Sequence, residues 1–524
     1  MPYSLYSPAL YAGGRWNMLT RPINRKDIIR DTYFFSGSVY ISQAMFFIRG
    51  FLNARILGPG LYGLWSGLNI ILSYSAYSHM GGLSAMNREI PFQKGRDSLG
   101  DMDRARNAAF TMTLITGGMF SVVLIIAAFL LWGRLSNAEA CGLIAISLLG
   151  FVSILYEFCQ TSLISFKRFL VVSKGNIVFS ILSVIATLIL LPLFNIYGVY
   201  LTAVSIPLLN LAYLWLKEHY SPKLCMDFKE MLRLIKIGFP IMSIDFLETT
   251  ITNASGIVVL FMLGNVNFAY FSVAMLAARF LMYFPKSVNR TFEPHIYQSY
   301  GETGRIGDLK KYLIKPTQVM AMLFPLLIAA SYIAAAFFIR HFLPKYTPAV
   351  LPLFIILISR FFVSFSPTSI AFITAINKQK FLVPVYIFGI AIAAGLSFIF
   401  IKMGLDVTGA AFAFLTASFF TGSVIFLYAV SKLTKNVLEA IGYLALSCGA
   451  LLYTLAVIMF NEAVVLNSQD IFSDMLALTA KLGLLFIFGL PLIYIANKKT
   501  KIISDMFNIT KINRHCEGEA RSNL

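Results

Sequence analysis

The chain has 524 residues, 58% hydrophobic and 13% charged, with a formal net charge of +19. Soluble domains carry about 25% charged residues, so this chain has too few charges to cover a soluble surface, and lipid is its natural solvent. Its basic residues lie between apolar runs, as in the loops of a membrane protein, and not on one soluble face as in a nucleic-acid binder.

The first 31 residues lack a long apolar run and hold five basic residues, which reads as a cytoplasmic N-terminal segment without a cleavable signal peptide. Apolar runs then follow one another, and a run of about 20 residues spans a bilayer at about 1.5 Å per residue. Fourteen such spans are expected, near 32–52, 61–82, 108–133, 139–163, 175–194, 197–216, 238–263, 268–285, 316–339, 347–372, 381–401, 406–430, 437–460 and 474–496. The seventh and eighth spans are expected to be joined by the four-residue turn Gly264–Asn267. The linker at 217–237 includes Phe228–Ile235, whose apolar residues recur at helical spacing, and reads as a surface helix lying on the headgroups. The tail, 497–524, is polar and expected to be disordered.

Taking the N-terminus as inside places 34 of the 43 Lys and Arg in inside segments, six at outside positions and three within spans. Both termini are therefore expected in the cytoplasm. Five cysteines, Cys141, Cys159, Cys225, Cys448 and Cys516, are scattered singly with no CxxC pattern, which argues against disulfides and structural metal. The absence of a Walker A sequence and of a Ser-His-Asp set argues against ATP hydrolysis within the chain and against an enzyme.

The two halves echo each other. LGPGLYGLW (57–65) and LGNVNFAYF (263–271) occupy corresponding outside turns. Asn87–Arg88 and Asn289–Arg290 follow, with Pro91 and Pro294 soon after. Lys167–Val171 corresponds to Gln379–Val383. Repeats of this kind predict an all-α integral membrane protein of two six-helix bundles, 32–216 and 238–430, as a parallel pseudo-repeat. Two additional transmembrane helices, 437–496, follow.

These residues resemble a family. ARILGPGLYGLW (54–65), MNREIPFQKG (86–95) and Gly238–Phe239–Pro240 are similar to the polysaccharide transporter branch of the multidrug/oligosaccharidyl-lipid/polysaccharide (MOP) flippase superfamily, which includes the O-antigen and related Wzx-type flippases of bacteria. The resemblance covers roughly residues 30–500. It implies alternating access between two bundles. It also implies movement of an undecaprenyl-pyrophosphate-linked oligosaccharide from the cytoplasmic to the outer leaflet of the inner membrane, with polysaccharide polymerase or export machinery as expected partners. The family supplies no catalytic motif, no cofactor is expected, and the coupling ion, H+ or Na+, stays open. A monomer suffices.

Site residues must come from the intramembrane charges, which are costly and so face a cavity or a partner. Asp245 and Arg279 stand at similar depth in antiparallel spans, and can pair structurally or line a cavity. Glu248 is one turn from Asp245 on the same helical face; two carboxylates that close would build a proton-coupling site, unless Glu248 simply meets another basic residue. Arg360, mid-span, has a guanidinium suited to phosphate, or else pairs with Glu248 or Glu157. Arg49 either guards an exit or snorkels. Lys481 reads as peripheral. Pro367 is the hinge candidate, whereas Pro240 and Pro352 fall in first turns. Two alternatives remain: a cation-coupled multidrug exporter of the same superfamily, which would want an acidic cavity, and a non-transporting scaffold of a polysaccharide assembly complex.

Overall fold

The computed structural model describes residues 25–95, 98–166, 168–217, 222–464 and 471–500. The N-terminal segment before residue 25 and the tail beyond 500 lie outside the described residues. Among those described, every regular element is helical: α1 (Arg25–Ser75), α2 (Gly82–Gly95), α3 (Leu99–Leu130), α4 (Asn137–Ser165), α5 (Phe169–Phe194), α6 (Ile196–Lys217), α7 (Phe228–Leu281) and α8 (Tyr283–Thr303). They continue as α9 (Lys310–Phe342), α10 (Val350–Val363), α11 (Ser366–Ala375), α12 (Leu382–Lys402), α13 (Asp406–Thr434), α14 (Val437–Val464) and α15 (Ile471–Thr500). Among the described residues, twelve helical stretches are long and apolar enough to cross a membrane, and two of them, Phe34–Ser75 and Phe228–Thr303, each contain two of the expected spans. The chain is a multi-pass membrane protein.

The junctions inside those two stretches are single residues. α1 breaks at Gly58 (φ 70°, ψ 174°) and α7 at Gly264 (φ 77°, ψ −176°). An L-residue resists positive φ, so glycine marks each break. Pro59 then opens the next helix, where its missing N–H costs nothing. Gly264 alone does what a four-residue turn was expected to do, because Asn265–Asn267 are already helical.

Three further departures follow from local chemistry. The second span stops as a helix at Ser75, and residues 76–81 form a turn through Met80 (φ 50°) and Gly81 (φ 92°). The tenth span divides into α10 and α11 at Ser364–Phe365, with Pro367 as the second residue of the new helix. Pro240, by contrast, lies well inside α7, because that helix begins at Phe228.

The chain divides into two compact units. One takes the described residues up to Ile56 together with Leu68–Phe246; the other takes Leu57–Gly67 and the described residues from Leu247 onward. In the first unit α3 packs on α2 and α4, and α4 and α5 pack on α6. Its core joins Met86 and Ile90 to Ala105, Ala108, Ala109, Phe110, Phe158 and Leu163. The alanines let helix backbones approach closely, as membrane packing requires. Ser121 and Ser147 bridge α3 to α4 with hydroxyl oxygens 2.6 Å apart.

Phe228–Ile235 is not a surface helix. It is the first part of α7, and Met231 and Leu234 are buried in the core of the first unit. Arg233 anchors it, donating to Glu89 and to Glu230 at 2.7 Å each. Just before it, Arg104 Nε donates to Asp227 at 2.7 Å, and this bond holds the Asp227 carboxyl below its ordinary range.

In the second unit α12 and α10 pack on α13, and α14 and α15 pack on α9. The two additional helices thus share a core with the unit, through Ala329, Ile333, Val457, Ile458 and Leu485.

Candidate functional site

Arg360 lies in the last turn of α10, immediately before the break at Ser364–Phe365. It is 4% exposed. Its Nη2 donates to the Met275 sulfur at 3.2 Å, its guanidinium carbon lies 4.9 Å from the Phe414 ring centroid, and its Nε has no hydrogen-bond partner. Among the described residues no carboxylate oxygen comes within 4.0 Å of it. Arg279, on α7, acts on it electrostatically, as does Glu248. Two like charges share this part of the second unit, and the nearest partners of the deeper one are a thioether and a ring. Thioether and ring are weak substitutes for an anion.

Arg279 itself is exposed from the protein and lies within electrostatic reach of Tyr62 and Tyr283. Tyr62 in turn meets Tyr346 edge-on at 6.1 Å, and Tyr346 meets Tyr270 in the same way. Glu248 meets Lys286, Nζ to Oε1 3.7 Å, with both side chains partly exposed. The structure therefore gives Glu248 a basic partner that is neither Arg279 nor Arg360.

Asp245 and Glu157 belong to the first unit. Asp245 is exposed, its carbonyl oxygen accepts from the Tyr77 hydroxyl at 3.0 Å, and Phe246 beside it meets Tyr74 and Tyr77 edge-on. Glu157, half-buried on α4, is close enough to Asp245 for the two carboxylates to repel. Asp245 thus lies within electrostatic reach of Glu157. Asp245 and Arg279 fall in different units. Arg49 lies over the ring of Phe46 on its own helix at 5.4 Å.

The first unit also carries a contact that no charge pattern signals. A Cβ on Gly238 would stand 1.9 Å from the Gly81 carbonyl oxygen, so the two backbones touch. His79 Nδ1 accepts from the Gly81 N–H at 2.9 Å and fixes the turn there.

Lys481 is not peripheral. It is 4% exposed and donates to Glu462 at 2.9 Å, while His341 meets Asp474 at 2.9 Å. These four residues tie α9, α14 and α15 together. Sequence reasoning set Lys481 aside because an isolated lysine in a terminal helix gives no hint of a partner nineteen residues away. Among the described residues, no three His, Cys, Asp or Glu side chains gather as metal ligands would.

A family of polysaccharide biosynthesis proteins matches residues 52–345, more than half of the chain. The chain belongs to that family. No curated protein matches it. Solved structures share its fold. An inward-facing multidrug resistance MATE family transporter of the MOP superfamily aligns with TM-score 0.65 at 14% identity, over 75% of this chain and 95% of its own. The lipid II flippase MurJ, in an inward closed conformation, aligns with TM-score 0.65 at 14% identity over 87% and 97%. A MOP superfamily transporter from Pyrococcus furiosus, described as having a binding pocket of reverse polarity, aligns with TM-score 0.55 at 13% identity over 80% and 98%. The fold of this polysaccharide biosynthesis protein is that of the MOP superfamily, as the sequence resemblance implied.

Proposed function

We propose that this protein is a flippase that carries a lipid-linked oligosaccharide from the cytoplasmic to the outer leaflet of the inner membrane by alternating access. Both termini are cytoplasmic in this reading, and residues 32–216 and 238–430 are the two moving bundles. The observation that carries it is Arg360: a guanidinium buried in a membrane helix with no carboxylate within 4.0 Å among the described residues. An unpaired buried charge is expensive, and it is retained where a ligand completes it. A diphosphate offers planar oxygen pairs that match the guanidinium fork, and the developing contact would also draw on Arg279. The sugar would follow the diphosphate, while the prenyl tail stays in lipid. Membership of a polysaccharide biosynthesis family supports the substrate class.

A cation-coupled drug exporter is the second reading, and the acid pair Asp245–Glu157 favours it. In the flippase reading the same pair serves as the site where a coupling H+ or Na+ relieves carboxylate repulsion. The two readings separate in a host that lacks its own flippase. Wild type is expected to restore surface glycan, and Arg360→Ala and Arg279→Ala to lose it at equal membrane expression, with drug sensitivity unchanged throughout. Failure of wild type with several lipid-linked substrates, together with drug resistance that depends on Asp245, would establish the exporter instead.

A further inference from the structure

A groove of about 870 Å³ opens between α8 and the start of α9, and neither Arg360 nor Arg279 lines it. Its walls carry charges of both signs: Lys311 and Lys315 from α9, Glu302 from the end of α8, and Asp308 from the short connection between them. Lys310 is already drawn to Glu439, with nitrogen and oxygen 3.7 Å apart. Among the described residues Lys315 meets no carboxylate. From Pro316 to Ile339 α9 holds no charged residue, so Lys315 stands where the helix passes from polar to apolar. Headgroup phosphates lie at that level in a bilayer.

We propose that this groove binds a phospholipid headgroup that carries both a phosphate diester and a primary ammonium, an ethanolamine phosphate. The lysines are point charges on flexible stems, suited to a monoanionic phosphate and lacking the arginine fork that grips a diphosphate. The carboxylates of Glu302 and Asp308 supply acceptors for an ammonium with three N–H donors. Gln298 already donates to Glu302 at 2.8 Å, and a carboxylate keeps lone pairs for more. A quaternary choline would need open aromatic faces. The two rings that line the groove, Tyr312 and His295, are stacked on each other at 6.0 Å, and the Lys311 ammonium already lies 4.8 Å from the Tyr312 centroid. A purely anionic headgroup would meet the two carboxylates unfavourably.

Native mass spectrometry of the full-length protein, offered phosphatidylethanolamine, phosphatidylcholine and phosphatidylglycerol in equal amounts, tests this. Wild type is expected to retain phosphatidylethanolamine over both others. Lys311→Ala with Lys315→Ala should weaken retention of phosphatidylethanolamine and phosphatidylglycerol alike, by about tenfold, the size of one lost charge-assisted hydrogen bond. Glu302→Gln with Asp308→Asn should reduce phosphatidylethanolamine to the choline level and raise retention of phosphatidylglycerol, whose anionic headgroup no longer meets two carboxylates. The side chains changed are at the surface, so folding is preserved. Equal retention of ethanolamine and choline lipids by wild type, a preference for phosphatidylglycerol, or indifference to both double variants would each overturn the proposal. The readout is binding alone, so it stands or falls separately from the flippase reading.

Discussion

The guanidinium of Arg360 faces the ring of Phe414 at 4.9 Å, and that ring does the work an anion would do better. A cation over an aromatic face in a desolvated site is worth about 2 kcal/mol, well below the cost of burying the charge. Phe414→Leu should therefore destabilise the protein by about 1–2 kcal/mol, seen in thermal unfolding in detergent. It should leave glycan export largely intact, because a diphosphate would replace the ring as the partner. Loss of export with unchanged stability would mean that Phe414 itself guides substrate.

Gly238 and Gly81 allow two backbones to meet where no side chain fits. Gly238→Ala places a methyl group 1.9 Å from a carbonyl oxygen, and backbone cannot yield as a flexible side chain can. Spin labels on the 76–80 turn and on the first part of α7 should report a longer separation in Gly238→Ala, and export should fall. An unchanged distance distribution would show that the contact opens at no cost.

Leu234 is fully buried among the residues of α2, α3 and α4. Leu234→Ala is expected to cost about 2–5 kcal/mol of unfolding free energy, the range for a large core residue. A helix lying on headgroups would barely register the change, so a shift below about 0.5 kcal/mol would restore the surface reading.

That segment shows where sequence stops being informative. An amphipathic pattern has the same 3.6-residue period whether its apolar face meets lipid or a protein core, so Phe228–Ile235 could not be placed without its neighbours. Spans, in contrast, were legible, because about 20 apolar residues with few charges have few other uses. The breaks at Gly58 and Gly264 were legible in position, through the matching Leu-Gly of 57–58 and 263–264, though not in length. The halves also echo each other at Asn195 (φ 54°) and Asp406 (φ 43°), each three residues before a glycine, Gly198 and Gly409, packed against the previous helix. Among the charges, sequence could rank depth but not partner. It set Glu248 beside Asp245, and the structure gives Glu248 to Lys286 and Asp245 to the neighbourhood of Glu157.

Lys481 and Glu462 pair at 2.9 Å with the lysine end buried. Removing one partner leaves an uncompensated charge, so Lys481→Ala should lower stability by about 2–3 kcal/mol. Lys481→Met combined with Glu462→Leu should recover most of that loss, since apolar replacements of both partners remove the desolvation cost. Thermal unfolding of the single and double variants provides the comparison. A double variant no better than the single would mean that the neighbouring pair, His341 with Asp474, depends on Lys481.

Arg360→Met tests the account most directly, with stability and transport measured on the same purified protein. Methionine fills similar volume beside Met275 and carries no charge. If Arg360 exists to meet a phosphate, the variant should unfold at a temperature equal to or above that of wild type, because an unpaired buried charge is gone, and its reconstituted flipping of a diphosphate-linked oligosaccharide should be abolished. A variant that unfolds earlier yet still flips its substrate would contradict the claim and make Arg360 a packing residue.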